Sequence, residues 1–296
     1  MKKATLLAAL AAATLLGGCA STGTPTGDRH YSEDNSRAYN LAQAGGLRDA
    51  KDTKLGNEEY SELMSNMAGG ASTALSLSSS SGFGLSGGAS LGLGLASAIF
   101  SGPGMMGRDS AFAFVPSNEA ESPEHATDVI RDHFYEAVQG VADSTEFTMH
   151  YNEGERDVRY SRQRNISAIY LVNEEMGCPI ATEEHRGKDV CVFALFTPNS
   201  AGKLQETPLA VKTSSSPYSY PYSANDHVNS LLVTMHFSDK AKEAMGEDQA
   251  AIKRIELLSK LSEEMPSWFY MYIKAGDQTP PMILEDGKAE LFISRH

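Results

Sequence analysis

Apolar residues between 108 and 296 recur with helical spacing in two places and with strand spacing in several others. The first helical pattern follows the Ser-Pro pair at 122–123, which predicts an N-cap and a first helical turn. The second pattern follows Ser238, is broken or kinked near Gly246, and ends at Pro266, which cannot continue a helix. The pattern therefore predicts two long helices, each with one apolar face for packing.

Short apolar runs of strand length precede and follow these helices. They predict strands at Ala111–Val115, Phe147–Tyr151, Ile166–Val172, Asp189–Phe196, Leu231–Phe237, Trp268–Ile273, Met282–Leu284 and Ala289–Ile293. Asp286-Gly287, between the last two runs, is a strong signal for a two-residue hairpin turn. The fold class is therefore α+β, with two long helices packed on a mainly antiparallel sheet.

The order strand–helix–strand–strand–strand occurs at 111–196 and again at 231–293. This recurrence indicates two units of similar organisation, although the residues themselves show no repeat. The polar stretch 197–229 between the two units is interpreted as a long loop.

Three tyrosines stand out in this loop, namely Tyr218, Tyr220 and Tyr222, within a run of Ser, Pro and Tyr. Tyrosine presents a rigid, amphipathic surface and is favoured at protein interfaces. We expect the three residues to form a partner-binding loop, and the alternative is a loop without a partner.

The stretch 63–107 carries no charged residue, and its middle alternates with a period of two. Every even position from 82 to 94 is Gly or Ser, whereas most odd positions are apolar, which predicts a strand with one apolar face. That face carries Phe83, Leu85, Leu91, Leu93 and Leu95. A glycine-zipper helix is disfavoured, because its small residues would lie on opposite sides and each Gly costs about 1 kcal/mol relative to Ala.

A strand of this length spans a bilayer, for which about 9–11 tilted residues suffice. A shorter alternating stretch, Ala71–Leu77, precedes it and completes a hairpin between 71 and 95. Because a lone hairpin leaves its edges unsatisfied in lipid, insertion requires copies from other subunits that close a shared barrel. The alternatives are a flexible Gly/Ser segment and a segment that lies against a partner protein.

The N-terminus begins with Met1-Lys2-Lys3, continues as an apolar run to Leu16, and closes with Leu16-Gly17-Gly18-Cys19. The apolar run is too short to span a bilayer and has the three-part plan of a secretory signal. The closing run resembles the lipobox of bacterial lipoproteins, and the resemblance covers the leader only. It implies cleavage before Cys19 and acylation, including palmitate, of the new N-terminal residue. Ala20, in place of Asp, implies the outer membrane in that class.

The remaining composition limits the function further. A net charge of −13 is poorly suited to nucleic acid, whose phosphates require Lys and Arg. Residues 20–62 are polar and predict a tether, with short helices near Ser36–Leu47 and Asn57–Met67. The expected layout is a signal peptide at 1–18, the acylated Cys and tether at 19–62, the uncharged segment at 63–107 and a periplasmic domain at 108–296.

Besides Cys19, the chain has two cysteines, Cys178 and Cys191. In an exported protein such a pair is expected to form a disulfide, which stabilises by about 3 kcal/mol for a loop of this length. The eight histidines are scattered, and zinc-type spacings, nucleophile elbows and phosphate loops do not stand out. We therefore expect no catalytic residue, no metal and no cofactor.

Together these features predict an outer-membrane lipoprotein whose domain faces the periplasm. We expect a structural component of a multi-protein envelope assembly, such as a secretion, conjugation or transport machine. Its expected partners are outer-membrane lipid, through acylated Cys19, and other envelope proteins. One alternative is a homo-oligomeric pore or export channel built from the 71–95 hairpins, and another is a periplasmic enzyme.

Overall fold

The computed structural model of the chain describes residues 31–61, 107–151, 157–159, 164–182, 187–211, 216–224, 230–275 and 280–296. Cys19 and the 71–95 hairpin, including Phe83, Leu85, Leu91, Leu93 and Leu95, lie outside these ranges, and the predictions made for them stay predictions.

Helices form where the sequence places caps and apolar faces. They are α1 (Arg37–Ala44), α2 (Pro123–Asp143), α3 (Asp239–Met245) and α4 (Glu247–Glu264). Ser122 Oγ accepts a hydrogen bond from His125 N at 3.1 Å, and Ser238 Oγ accepts one from Ala241 N at 2.9 Å. Gly246, with φ of 82°, separates α3 from α4, as the predicted break requires.

The strands are β1 (Thr53–Leu55), β2 (Ser110–Pro116), β3 (Thr148–His150), β4 (Asp157–Arg159), β5 (Arg164–Val172), β6 (Cys191–Pro198), β7 (Gln205–Glu206), β8 (Tyr218–Tyr222), β9 (Leu232–His236), β10 (Phe269–Ile273), β11 (Met282–Glu285), β12 (Lys288–Leu291) and β13 (Ile293–Arg295). Every predicted strand is confirmed, with ends shifted by up to two residues. The last one is divided at Phe292 into β12 and β13.

Two antiparallel sheets organise the fold. The larger sheet has the order β12-β11-β10-β2-β8-β7, and the smaller has the order β3-β5-β6-β9, with β4 also paired to β5. A separate parallel pair joins β1 to β13. The predicted α+β class with mainly antiparallel sheet is confirmed.

The two predicted units are interlocked, because each contributes its first strand to the sheet of the other. β2 pairs with β10, while the strands that follow α2 form the smaller sheet. Conversely, β9 pairs with β6, while the strands that follow α4 lie in the larger sheet. The helices therefore cross from one sheet to the other, so the two units share one folded body.

Strand β2 is buried along its whole length because it separates two apolar cores. Ala111, Ala113 and Val115 face the main core, which contains the buried faces of α2 and α4. Phe112 and Phe114 face a second core, which lies beneath α1 on the opposite side of the larger sheet. Burial on both faces explains why β2 reads as an uninterrupted apolar run.

The second core corrects the predicted extent of the tether. The predicted helix near Ser36–Leu47 is present as α1, but residues 36–55 pack into the folded body instead of forming a solvated linker. Small side chains permit a close approach, and a Cβ atom at Gly45 would overlap the ring of Phe112. The polar residues serve as caps, since Ser36 Oγ accepts from Tyr39 N at 2.9 Å.

Candidate functional site

The described chain is interrupted beside the β1–β13 pair and resumes at the start of β2 in the larger sheet. The chain leaves at Ser61, just beyond the β1–β13 pair, and returns at Gly107, ahead of β2. Asp109 Oδ1 accepts a hydrogen bond from Lys274 N at 2.9 Å, which fixes the start of β2 beside the end of β10. β12 leads into β13 at the same end, about 14 Å across the sheet from β2 at the usual strand spacing.

A cleft of about 600 Å³ lies along β12, the edge strand of the larger sheet, and the β1–β13 pair. It is lined by Glu33, Asp34, Asn35, Ser36, Arg37, Lys54, Tyr60, Ala289, Glu290, Leu291, Ile293, Ser294, Arg295 and His296. Tyr31, the first described residue, precedes the lining residue Glu33, and Ser61 directly follows the lining residue Tyr60. The described chain therefore begins at Tyr31 and is interrupted after Ser61 beside this cleft.

Charges of both signs line the cleft. Lys54 and Arg295 provide cations, and Glu33, Asp34 and Glu290 provide carboxylates. The guanidinium of Arg295 lies 4.8 Å from the centroid of the Tyr60 ring, a cation–π contact. His296 N donates to Leu55 O at 2.9 Å. These contacts join residues 295–296 to β1 and to the helical turn at 57–61.

Arg37 at the start of α1 joins the cleft to the larger sheet. Its guanidinium forms two hydrogen bonds to the buried Glu285 carboxylate, at 2.6 and 2.9 Å, and a third to Ala210 O. Burial alone would lower the pKa of Arg37, but the hydrogen bond and the charge of Glu285 outweigh burial and raise it. The pair stays ionised and fixes α1 against β11.

A second ion pair fixes the place where the chain returns. Arg254 on α4 donates to the Asp109 carboxylate and, at 3.2 Å, to Met235 O at the end of β9. Burial lowers the pKa of Arg254. Because Asp109 also accepts from the backbone of Lys274, one carboxylate connects α4 and β10 to the start of β2.

The predicted disulfide between Cys178 and Cys191 is confirmed, with a Cα–Cα distance of 5.3 Å. Both cysteines are fully buried, at the connection between β5 and β6. Ser238, the N-cap of α3, donates from its backbone N to Cys191 Sγ at 3.3 Å and from its hydroxyl to Gly177 O. The disulfide thus supports the docking of α3.

The expectation of a three-tyrosine loop is wrong for two of its residues. Tyr218–Tyr222 forms β8, paired with β2, and buries Tyr220 and Tyr222 on the main core. The hydroxyl of Tyr222 lies 2.8 Å from Thr127 Oγ1, and burial raises its pKa. Tyr218 alone is exposed, at 51%. The alternation of tyrosines was a strand signal that the surrounding Ser and Pro residues obscured.

Within the ranges that the structure describes, no cluster of His, Cys, Asp and Glu is arranged to hold a metal ion. Every helix in those ranges is too short or too polar to cross a bilayer. No protein-family model, curated protein or solved structure gives a significant match to the chain. Its class is therefore defined by its own architecture, a disulfide-bonded α+β body with two interlocked antiparallel sheets.

Proposed function

We propose that this chain is an outer-membrane lipoprotein that serves as a structural component of a multi-protein envelope assembly. Its folded body faces the periplasm and binds other envelope proteins, while the acylated Cys19 attaches it to lipid. The lipobox at Leu16–Cys19 supports the attachment. The Cys178–Cys191 disulfide supports an oxidising compartment such as the periplasm.

The observation that carries the proposal is the position of the chain connections around the cleft. Tyr31 lies twelve residues beyond Cys19, so an extended chain reaches about 40 Å at most. An anchor at Cys19 therefore keeps Tyr31, beside the cleft, within about 40 Å of the bilayer. Ser61, the last described residue before the uncharged stretch 63–107, directly follows a lining residue of the same cleft.

In this proposal the folded body supports the uncharged stretch and positions it against the membrane or a neighbouring subunit. The ion pairs Arg37–Glu285 and Arg254–Asp109 hold the chain before Ser61 and after Gly107. Holding both ends reduces the freedom of the stretch and so reduces the entropic cost of placing it against a partner. The role is structural rather than catalytic.

Acylation and orientation are tested together by energy transfer to dansyl-labelled phosphatidylethanolamine in proteoliposomes. The single tryptophan, Trp268, is not among the residues that line the cleft, whereas Tyr31 lies two positions before the lining residue Glu33. A Trp268→Phe, Tyr31→Trp variant should transfer energy more efficiently than the wild type. Cys19→Ser should lose both alkyne-palmitate incorporation and membrane-dependent transfer. Equal transfer from both positions, or no palmitate on Cys19, would refute the proposal.

The alternative of a homo-oligomeric pore is distinguished by extraction in mild detergent. A component of an assembly should co-purify with several other envelope proteins, whereas a pore should run as a large homo-oligomer and conduct ions across planar bilayers. Leu91→Asp with Leu93→Asp should abolish conductance if the 71–95 hairpins form a barrel. The double variant Leu91→Ala with Leu93→Ala is the matched control for loss of side-chain volume without added charge.

A further inference from the structure

The cleft beside β1 and β13 includes an open strand edge. β12 ends the order of the larger sheet and, in the described part of the chain, pairs only with β11. Three of its residues, Ala289, Glu290 and Leu291, line the cleft. An unpaired strand edge presents backbone N–H and C=O groups, to which an extended segment can add as a further strand.

The hairpin register shows which backbone groups of β12 point away from β11. The two-residue turn at 286–287 makes Glu285 and Lys288 a hydrogen-bonded pair, and such pairs alternate with non-bonded ones along antiparallel strands. Ala289 and Leu291 therefore belong to non-bonded pairs, and their N–H and C=O groups point outward. Within the described ranges these groups have no backbone partner. Leu291 is only 8% exposed, so its edge groups lie in the cleft and not on an open surface.

Charges of both signs line the cleft without neutralising each other. Lys54 provides an ammonium group, and Glu33 and Asp34 provide carboxylates. Among the side chains that the structure describes, none of these three forms an ion pair. Arg295 adds a second cation, which lies over the Tyr60 ring. A ligand with charge of one sign would be repelled by part of this lining, whereas a ligand that carries both signs is attracted by each part.

A buried hydroxyl lies beside Lys54. Ser294 pairs with Lys54 in the register of β1 and β13, so the two side chains share a face of this pair. Ser294 lines the cleft and is 4% exposed, yet its Oγ has no hydrogen-bond partner among the described residues. Buried hydroxyls are normally hydrogen-bonded. A ligand carboxylate beside Lys54 would provide the missing acceptor.

We propose that the cleft binds a short extended peptide that carries a free ammonium group and a free carboxylate. The peptide backbone adds to β12 at Ala289 and Leu291, which lie about 7 Å apart, a span of three ligand residues. The carboxylate lies beside Lys54 and Ser294, and the ammonium group lies beside the carboxylates at 33–34. A volume of about 600 Å³ is of the size usual for small-ligand sites.

The test is isothermal titration calorimetry of the purified full-length chain in detergent with the tripeptide Thr-Val-Thr in four forms. One form has both termini free, one is acetylated at the N-terminus, one is amidated at the C-terminus, and one carries both modifications. The free form should bind at least fivefold more tightly than either singly modified form. Amide hydrogen exchange at Ala289 and Leu291 should slow at least fivefold when the free form is bound.

Substitutions separate the two charged ends of the ligand. Lys54→Glu should weaken the acetylated form, which keeps its carboxylate, at least fivefold and should not weaken the amidated form. Ser294→Ala should weaken the free form without lowering the midpoint of thermal unfolding, because the hydroxyl has no partner in the unliganded fold. Lys240→Glu, the same charge change at an exposed lysine outside the cleft, is the matched control and should leave all four affinities unchanged.

The inference rests on the proposed function only for the source of the peptide, which a periplasmic body meets either free or attached to the cell wall. Co-sedimentation with purified peptidoglycan sacculi, competed by the free tripeptide, would identify the attached source, and tripeptide binding without co-sedimentation would identify the free one.

Three results would overturn the proposal. They are equal or absent binding of the four forms, unchanged exchange at Ala289 and Leu291, and protection of these amides that rises with protein concentration without peptide, which indicates a second copy at this edge. Acylation is not part of these measurements, so their failure and the failure of the lipoprotein assignment are separate results.

Discussion

Arg37 and Glu285 are bonded side chain to side chain across 248 positions of the sequence, with contacts of 2.6 and 2.9 Å. Glu285 is almost completely buried, and its carboxylate has a planar, bidentate partner in the guanidinium. This pair connects the segment that follows the lipobox to the larger sheet, and its Arg37 lines the cleft beside which the described chain is interrupted.

Removing the cation should destabilise the fold because it leaves the Glu285 carboxylate buried without its partner. We expect Arg37→Ala to lower the free energy of unfolding by about 2–3 kcal/mol, below the range for fully buried pairs because Arg37 is partly exposed. Urea unfolding measures the change. The matched control is Lys242→Ala, whose i,i+3 pair with Asp239 is more exposed to solvent and should cost no more than about 1 kcal/mol. Equal losses of unfolding free energy in the two variants would show that burial does not increase the contribution of the Arg37–Glu285 pair.

The pair of Glu146 and Lys253 predicts a pH dependence of stability. Burial alone would raise the pKa of Glu146, but hydrogen bonds and the charge of Lys253 lower it, and Lys253 Nζ lies 2.8 Å from its carboxylate. A carboxyl whose pKa is lower in the folded state stabilises the fold above its unfolded pKa of about 4.3 and loses this contribution as the pH falls through the folded pKa.

The expected contribution is about 0.5–1 kcal/mol, because the carboxylate of Glu146 is partly exposed to solvent. Glu146→Gln should be less stable than the wild type at pH 6 and should approach it as the pH is lowered below 4. Urea midpoints measured across this range provide the comparison. A difference that persists unchanged in acid would argue against an ionic contribution.

The disulfide should stabilise the fold by about 3 kcal/mol, because it closes a loop with a sequence separation of 13. Replacing Cys178 and Cys191 together with Ala should lower the urea midpoint accordingly. Wild type unfolded and refolded in a strong reductant serves as the control, and it should match the double variant. An unaffected midpoint would mean that packing around α3 alone provides the stability.

Tyr222 and Tyr218 should differ in their response to the same change. Tyr222→Phe removes a buried hydroxyl that is bonded to Thr127 and should cost about 1 kcal/mol of unfolding free energy. Tyr218→Phe, at an exposed position of the same strand, should change stability by less than about 0.5 kcal/mol. Thermal unfolding of both variants distinguishes the buried tyrosine from the exposed one, and identical effects would contradict the assignment of β8.

Local signals in the sequence were sufficient for most elements. Ser122 and Ser238 cap helices because their hydroxyls reach backbone amides within one turn. Asp286 and Gly287 adopt φ of 47° and 73°, as a primed hairpin turn requires. Such signals depend on residues a few positions apart, so they are readable from the chain itself.

Elements that are stabilised by contacts with residues distant in sequence were harder to predict from the sequence. β8 contains Pro221 and several serines, yet it is a strand because β2 pairs along it and the main core buries two of its tyrosines. The segment around α1 is polar in composition, yet it folds because Ala38 and Leu41 meet a sheet face that lies far away in sequence. In both cases burial against remote residues outweighs weak local preference.

The sequence by itself determined the helices, eight strand segments, the hairpin turn and the disulfide, because each follows from residues that are close together or from a cysteine count. Tertiary structure alone decided that the two units exchange their first strands, that Arg37 meets Glu285, and that Tyr220 and Tyr222 are buried on the main core. Strand partners are chosen by the burial of whole faces and by the crossing of the helices, and these are properties of the assembled chain that no local pattern contains.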